Sequence, residues 1–190
     1  MLVKIPIEIS ARHIHLSQKD LEVLFGAGYC LTRKKALTQP GEFAAEETVT
    51  VRFKDKEITR VRVVSPTRKQ TQLEISRTDA YNLGMPSVIR LSGDLKDTPG
   101  ISIIGPKGNI ALKEGVIIAL RHLHVSSDEA EKLKLTDKES VSVKIVGPRS
   151  LTFHNIKVRT GENYQLSIHL DTDEGNAAGI EGKTFGELII

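Results

Sequence analysis

Apolar and polar residues alternate over short runs of this chain, at Leu2–Ile9, Thr48–Phe53, Ile58–Val64, Val88–Leu91, Ile101–Ile104, Val141–Val146, Phe153–Val158 and Gln165–Leu170. A period of two sends successive side chains to opposite faces of a pleated strand. The runs are rich in Val, Ile and Thr and are separated by Gly and Pro turns, so they predict a mainly β protein. Only two segments read clearly as helix, Ser17–Phe25 and Ser127–Leu135. In the second, a capping serine precedes Asp128, Glu129 and an apolar spacing suited to one buried face.

Both helices directly follow a His-x-His element, and this exposes an internal repeat. SARHIHLSQKDLEVL, from Ser10, corresponds to ALRHLHVSSDEAEKL, from Ala119. The agreement continues downstream, where QLEISRTDAYNLG (Gln72–Gly84) is matched by QLSIHLDTDEGNAAG (Gln165–Gly179). Aligned on their terminal glycines, these segments set Glu74 opposite His169. Each half therefore offers a strand-borne His-x-His pair and a third potential ligand: His13, His15 and Glu74 in one, His122, His124 and His169 in the other.

Residues i and i+2 of a strand share a face, so both imidazoles of such a pair can reach one ion. Three N/O ligands suit a catalytic zinc, because they leave coordination positions open, whereas structural zinc sites usually close the shell with four ligands, often thiolates. A single His-x-His is a weak signal, but five of the six histidines fall in the repeated elements. His154 lies outside the pattern and reads as structural.

Composition narrows the remaining choices. The 190 residues suffice for one medium domain or two small ones, and 39% hydrophobic with 27% charged residues is ordinary for a globular protein. A formal net charge of +3 is too small to suggest a nucleic-acid binder. The single cysteine, Cys30, excludes an internal disulfide framework and reads as a buried small hydrophobe. No stretch approaches the roughly 18 to 20 apolar residues of a membrane helix, and a cytoplasmic protein is expected.

The segments SARHIHLS (Ser10–Ser17), PTRKQTQLEIS (Pro66–Ser76), LRHLHVS (Leu120–Ser126) and HLDTDEGNAAG (His169–Gly179) resemble, in order and spacing, the PduL family of phosphotransacylases, the microcompartment-type phosphate propanoyltransferases. The resemblance covers essentially the whole chain. It implies two small β-barrels with short capping helices, related by the duplication, with the N-terminal strand exchanged into the C-terminal barrel. Residues 12–119 would form the first barrel domain, and residues 1–11 with 120–190 the second. It also implies two zinc ions in neighbouring sites, held by the same two triplets that the repeat supplies.

Arg68 matches the family's phosphate-binding arginine, and a guanidinium fork suits phosphate oxygens better than a lysine would. Ser10 and Asn176 resemble positions near coenzyme A. The basic run Arg33-Lys34-Lys35 is where its anionic end would be sought, with Lys35 as the contact. The implied reaction is short-chain acyl-CoA plus phosphate giving acyl phosphate plus CoA, with an acetyl or propanoyl group transferred directly, since Cys30 and the serines lack a paired histidine. A homodimer is implied, with no nucleic-acid or membrane partner.

The chain departs from the family in two ways. Packaged members carry an N-terminal amphipathic extension, whereas this chain starts at its first strand, so a free cytosolic member making acetyl phosphate is expected. Gly175 stands where alanine is common and should loosen the local backbone slightly. Other readings weighed are a zinc hydrolase, which Arg68 argues against, a cupin-type oxygenase, whose glutamate would lie within a few residues of the histidines, and a metal-stabilised structural β-module without catalysis.

Overall fold

The structure is a computed structural model and describes residues 3–190. In chain order β1 (Val3–Ser10) is followed by β2 (His13–His15), α1 (Gln18–Phe25), β3 (Arg33–Ala36), β4 (Phe43–Phe53), β5 (Lys56–Ser65), β6 (Gln72–Glu74), α2 (Arg77–Leu83), β7 (Ile89–Arg90), β8 (Ser102–Ile104), β9 (Asn109–Ala111) and β10 (Val116–Ala119). The remainder is β11 (His122–Ser126), α3 (Ser127–Leu133), β12 (Ser140–Ile145), β13 (Leu151–Gly161), β14 (Ser167–Asp171), α4 (Thr172–Ala178) and β15 (Thr184–Ile189). The protein is mainly β with four short helices, as its alternation predicts.

The chain divides into two compact units, Arg12–Ala119 and Met1–Ala11 with Leu120–Ile190. The latter is a closed barrel in the order β1-β14-β11-β13-β12-β15. The N-terminal strand completes it, running parallel to β14 from Ile7↔Ile168 to Ser10↔Asp171 and antiparallel to β15. Its alternate residues Ile5 and Ile7 point into a core shared with Leu123, Val143, Ile156 and Ile168. This is the strand exchange that the resemblance implies.

In Arg12–Ala119 the sheet runs in the order β7-β10-β6-β2-β5-β4-β8-β9, with β3 added to β4, and it curls round a core built on Ile14, Leu16, Leu24, Val51, Val63 and Leu73. Its ladder stays open between β7 and β9. Helix α1 lies against the β8–β9 turn instead: Lys107 N–H donates to the Leu24 carbonyl at 3.0 Å, and a Cβ on Gly105 or Gly108 would stand 2.6 Å from the α1 backbone.

Each helix starts on a polar cap that accepts a backbone N–H of its first turn: Ser17 for α1, Ser76 for α2, Ser126 for α3 and Asp171 for α4. One finding corrects the sequence reading. Cys30 is exposed, because it falls in the loop between α1 and β3 rather than on an inward-facing strand position. Gly175, expected to loosen the local backbone, is also buried, and a Cβ there would stand 2.5 Å from Ile9 Cδ1 and 3.1 Å from Ile9 Cγ1, so the Ile9 side chain on β1 would have to shift to admit it. The δ-methyl is the rotatable end of its side chain, and glycine costs about 1 kcal/mol relative to alanine inside a helix. Gly175→Ala should therefore raise stability slightly, by roughly 0.5 kcal/mol in a denaturant titration.

Candidate metal centres

The two His-x-His pairs lie on β2 and β11, each laid antiparallel against the strand that carries the third residue. In Arg12–Ala119 the register is His13↔Glu74 and His15↔Gln72. In the barrel it is His122↔His169 and His124↔Ser167. The alignment that sets Glu74 opposite His169 is thus repeated in the ladders. One potential ligand atom from each of His13, His15 and Glu74 lies within 4.8 Å of the others, and the same holds for His122, His124 and His169.

The individual ring nitrogens fit ion binding. His122 Nδ1 is 2.9 Å from the Leu120 carbonyl, which can only accept, so Nδ1 carries the hydrogen and, in the neutral ring, Nε2 is the nitrogen left for an ion. His15 and His124 are buried, and in each Nδ1 meets no hydrogen-bond partner. An orphaned buried nitrogen costs stability unless something binds it, and it recurs here at corresponding positions of the duplication. Burial first, with Arg68 and His13 beside it, pushes His15 down to about 3. Burial, with His122 and His169 adding to it, pushes His124 to about 2. Both rings are therefore neutral near pH 7, the form that binds a metal. Burial alone would raise the Glu74 carboxyl, but His13, His15 and Arg68 outweigh it and hold the group below the usual carboxylate range.

These shifts fix a pH dependence for metal-free protein. An unfolded histidine titrates near 6.5, so between there and about 3 the unfolded chain binds more protons than the folded one, and stability falls as pH falls. Chelator-treated protein should lose roughly a few kcal/mol of unfolding free energy between pH 7 and pH 4. Urea titrations at each pH measure this, and the slope should be shallower for His15→Asn.

Arg68 sits on the segment between β5 and β6. That segment is fastened to the start of α1, because Arg68 N–H donates to the Leu16 carbonyl at 2.9 Å and Thr71 Oγ1 accepts from Ser17 N–H at 2.8 Å. Arg68 Nη1 donates to Ser92 Oγ at 2.9 Å, and Ser92 Oγ donates to Glu74 Oε1 at 2.9 Å. Gln72 Nε2 donates to the same carboxylate oxygen at 2.6 Å and to Ser92 Oγ at 2.8 Å, while Gln72 Oε1 accepts from Gly93 N–H at 2.7 Å. The Ser92 hydroxyl thus joins the cationic side chain to the Glu74 carboxylate, and the Gln72 amide holds both the hydroxyl and the carboxylate. The sequence reading missed both. Gln72 had a signal, since it shares a strand face with Glu74; Ser92 lies in a turn and had none.

In the barrel, His169 Nε2 is 3.1 Å from Ser167 Oγ and 3.7 Å from Glu8 Oε2, and the Tyr164 ring lies 4.5 Å from that of His124 between centroids. Of the positions tied to coenzyme A, Ser10 ends β1 opposite Asp171, and Asn176 is exposed on α4 beyond it. Lys35 is exposed on β3 opposite Ala44, in Arg12–Ala119. His154 is exposed and hydrogen-bonds Ser142 across the strands at 2.8 Å. No described helix is long and apolar enough to cross a membrane.

A His-x-His strand set against a third-ligand strand, present once in each unit, defines a duplicated β protein with two candidate metal centres. The family model described as Phosphate propanoyltransferase matches residues 6–181. Among similar proteins, each named Phosphate propanoyltransferase, that of Thermotoga maritima is 52% identical over 171 residues, covering 90% of this chain and 81% of its own length. That of Salmonella typhimurium is 46% identical, with 97% of this chain and 89% of the relative covered, and that of Rhodobacter capsulatus 44%, with 93% and 82%. The chain belongs to the phosphate propanoyltransferase family and is an acyltransferase of the phosphotransacylase kind.

Proposed function

We propose that the chain exchanges the acyl group of a short acyl-CoA, acetyl or propanoyl, with inorganic phosphate, and that it does so with zinc at both histidine clusters. The observation that carries the reading is the run of contacts from Arg68 through Ser92 to Glu74, which sets an anion-binding side chain beside a candidate metal ligand. Three N/O donors per cluster and the orphaned Nδ1 atoms of His15 and His124 support an open zinc site. Zinc, when bound, supplies Lewis acidity towards the thioester carbonyl and the departing sulfur.

The protein's own residues do the rest. Arg68 holds phosphate through charge-assisted hydrogen bonds and orients one oxygen towards the acyl carbon. The new O–C bond forms as the C–S bond breaks, and the sulfur leaves with the electron pair as the CoA thiolate. Ser92 and Gln72 keep the Glu74 carboxylate and Arg68 in fixed relation, so neither has to reorganise when phosphate arrives. Ser10, Lys35 and Asn176 are the proposed coenzyme A contacts, with Lys35 suited to its phosphates.

Thiol release from acetyl-CoA and propanoyl-CoA, with and without phosphate, tests this on protein as purified, treated with chelator, and reloaded with zinc. Release should require phosphate, stop on chelation and return with zinc, and the ratio of the two rates gives the preferred acyl group. Undiminished turnover by protein shown to be metal-free would overturn the zinc reading.

A further inference from the structure

We infer that Asp79 and Glu174, together with Arg12 and Arg121, are positioning residues of the two candidate metal centres: each carboxylate ties the strand end that carries the third ligand to the residue that precedes the His-x-His pair. The inference rests on the metal reading of the two clusters.

Asp79 is the third residue of α2. Its Oδ2 accepts the Ser76 N–H at 3.3 Å, and its Oδ1 lies 3.1 Å from Arg12 Nη1. Glu174 is the third residue of α4. Its Oε2 accepts the Asp171 N–H at 3.0 Å, and its Oε1 lies 2.7 Å from Arg121 Nε. In both units one oxygen of the carboxylate closes a capping box and the other binds an arginine. The residue types differ, Ser and Asp at the cap and Asp and Glu at the third helical position, so a geometry has been repeated rather than a sequence.

The joint sits beside the ligands in both cases. Ser76 and Asp171 each come two residues after the third ligand, Glu74 or His169, and Arg12 and Arg121 each immediately precede the first, His13 or His122. A ring therefore closes in each unit, from third ligand to cap, to carboxylate, to arginine, to first ligand. His13↔Glu74 and His122↔His169 are the terminal pairs of the three-pair ladders that join the ligand-bearing strands to each other, although each of these strands is also paired along its other edge, to β5, β10, β13 or β1. Metal ligands must hold their places to a few tenths of an ångström, and the carboxylate supplies a brace where the ladder stops. Burial favours a fixed geometry: the Asp79 side chain is 7% exposed and that of Glu174 17%. Arg121 is further held over the Phe153 ring at 5.1 Å and by the His154 carbonyl at 3.3 Å.

The alternative is that these carboxylates only cap helices, and the full-length, zinc-loaded protein distinguishes the two. Asp79→Asn and Glu174→Gln keep an oxygen for the cap N–H but lose the charge that binds arginine. Arg12→Ala and Arg121→Ala leave both capping boxes intact and guard against unfolding. Zinc release to a chromogenic chelator is followed beside the melting temperature. Outer partners of metal ligands typically affect affinity 10- to 100-fold, and a brace acting through the backbone should do less, so each variant should speed release of one ion about fivefold. Asp79→Asn and Arg12→Ala should act on the same ion, with no further gain when combined, and Glu174→Gln and Arg121→Ala on the other. Release at the unsubstituted rate, with only the melting temperature lowered, would overturn the inference. Failure of the unsubstituted protein to take up zinc would overturn the metal reading and this inference with it, and is seen before any variant is made.

Discussion

His124→Ala should lower phosphate-dependent acyl transfer by about 10³-fold and remove one metal ion per chain, because a Lewis acid at the reacting carbonyl contributes several kcal/mol and each 1.36 kcal/mol is tenfold in rate. His124 is 7% exposed, and its unpartnered Nδ1 is what the proposed ligand role requires and what a satisfied core histidine would not show. Alanine also leaves a cavity against the Tyr164 ring, so circular dichroism and elemental analysis must accompany the rates. A folded variant with its full metal complement and normal turnover would remove His124 from the site.

Arg68→Ala should raise the KM for phosphate and lower kcat/KM for phosphate by about 100-fold, the scale of a lost charge-assisted hydrogen-bond pair, while leaving the metal content and the KM for acyl-CoA nearly unchanged. The Ser92 hydroxyl would keep its bond to Glu74 after the arginine is gone, which is why metal should be retained. Steady-state kinetics at varied phosphate, paired with metal analysis, separates the outcomes. Equal loss of metal and activity would make Arg68 a structural support of the Glu74 cluster.

The candidate centres were legible because the chain states them twice. A three-residue strand such as His13–His15 is too short for its own periodicity to be read, yet the repeat placed it on a strand, and the antiparallel register then set Glu74 and His169 at corresponding positions. Helices α2 and α4 were missed although α3, equally short, was read: neither follows a His-x-His element, and Gly175 interrupts α4. Their signal lay in the capping boxes, Ser76 with Asp79 and Asp171 with Glu174. Strand β4 was read only from Thr48, because Glu47 occupies an inward position where an apolar residue was expected. The Tyr29 hydroxyl at 2.8 Å and the Thr32 N–H at 3.1 Å satisfy that carboxylate. Ser92 was beyond reach, because only the folded sheet brings that turn to Glu74.

Quantifying acyl phosphate against free CoA is the most direct test of phosphotransacylation. Zinc-loaded protein is given propanoyl-CoA and phosphate, and both products are measured over the same interval. One acyl phosphate should appear for every thiol released, with no thiol released when phosphate is omitted. Thiol release accompanied by free carboxylate, at a rate indifferent to phosphate, would contradict the proposed reaction and make the site a thioester hydrolase.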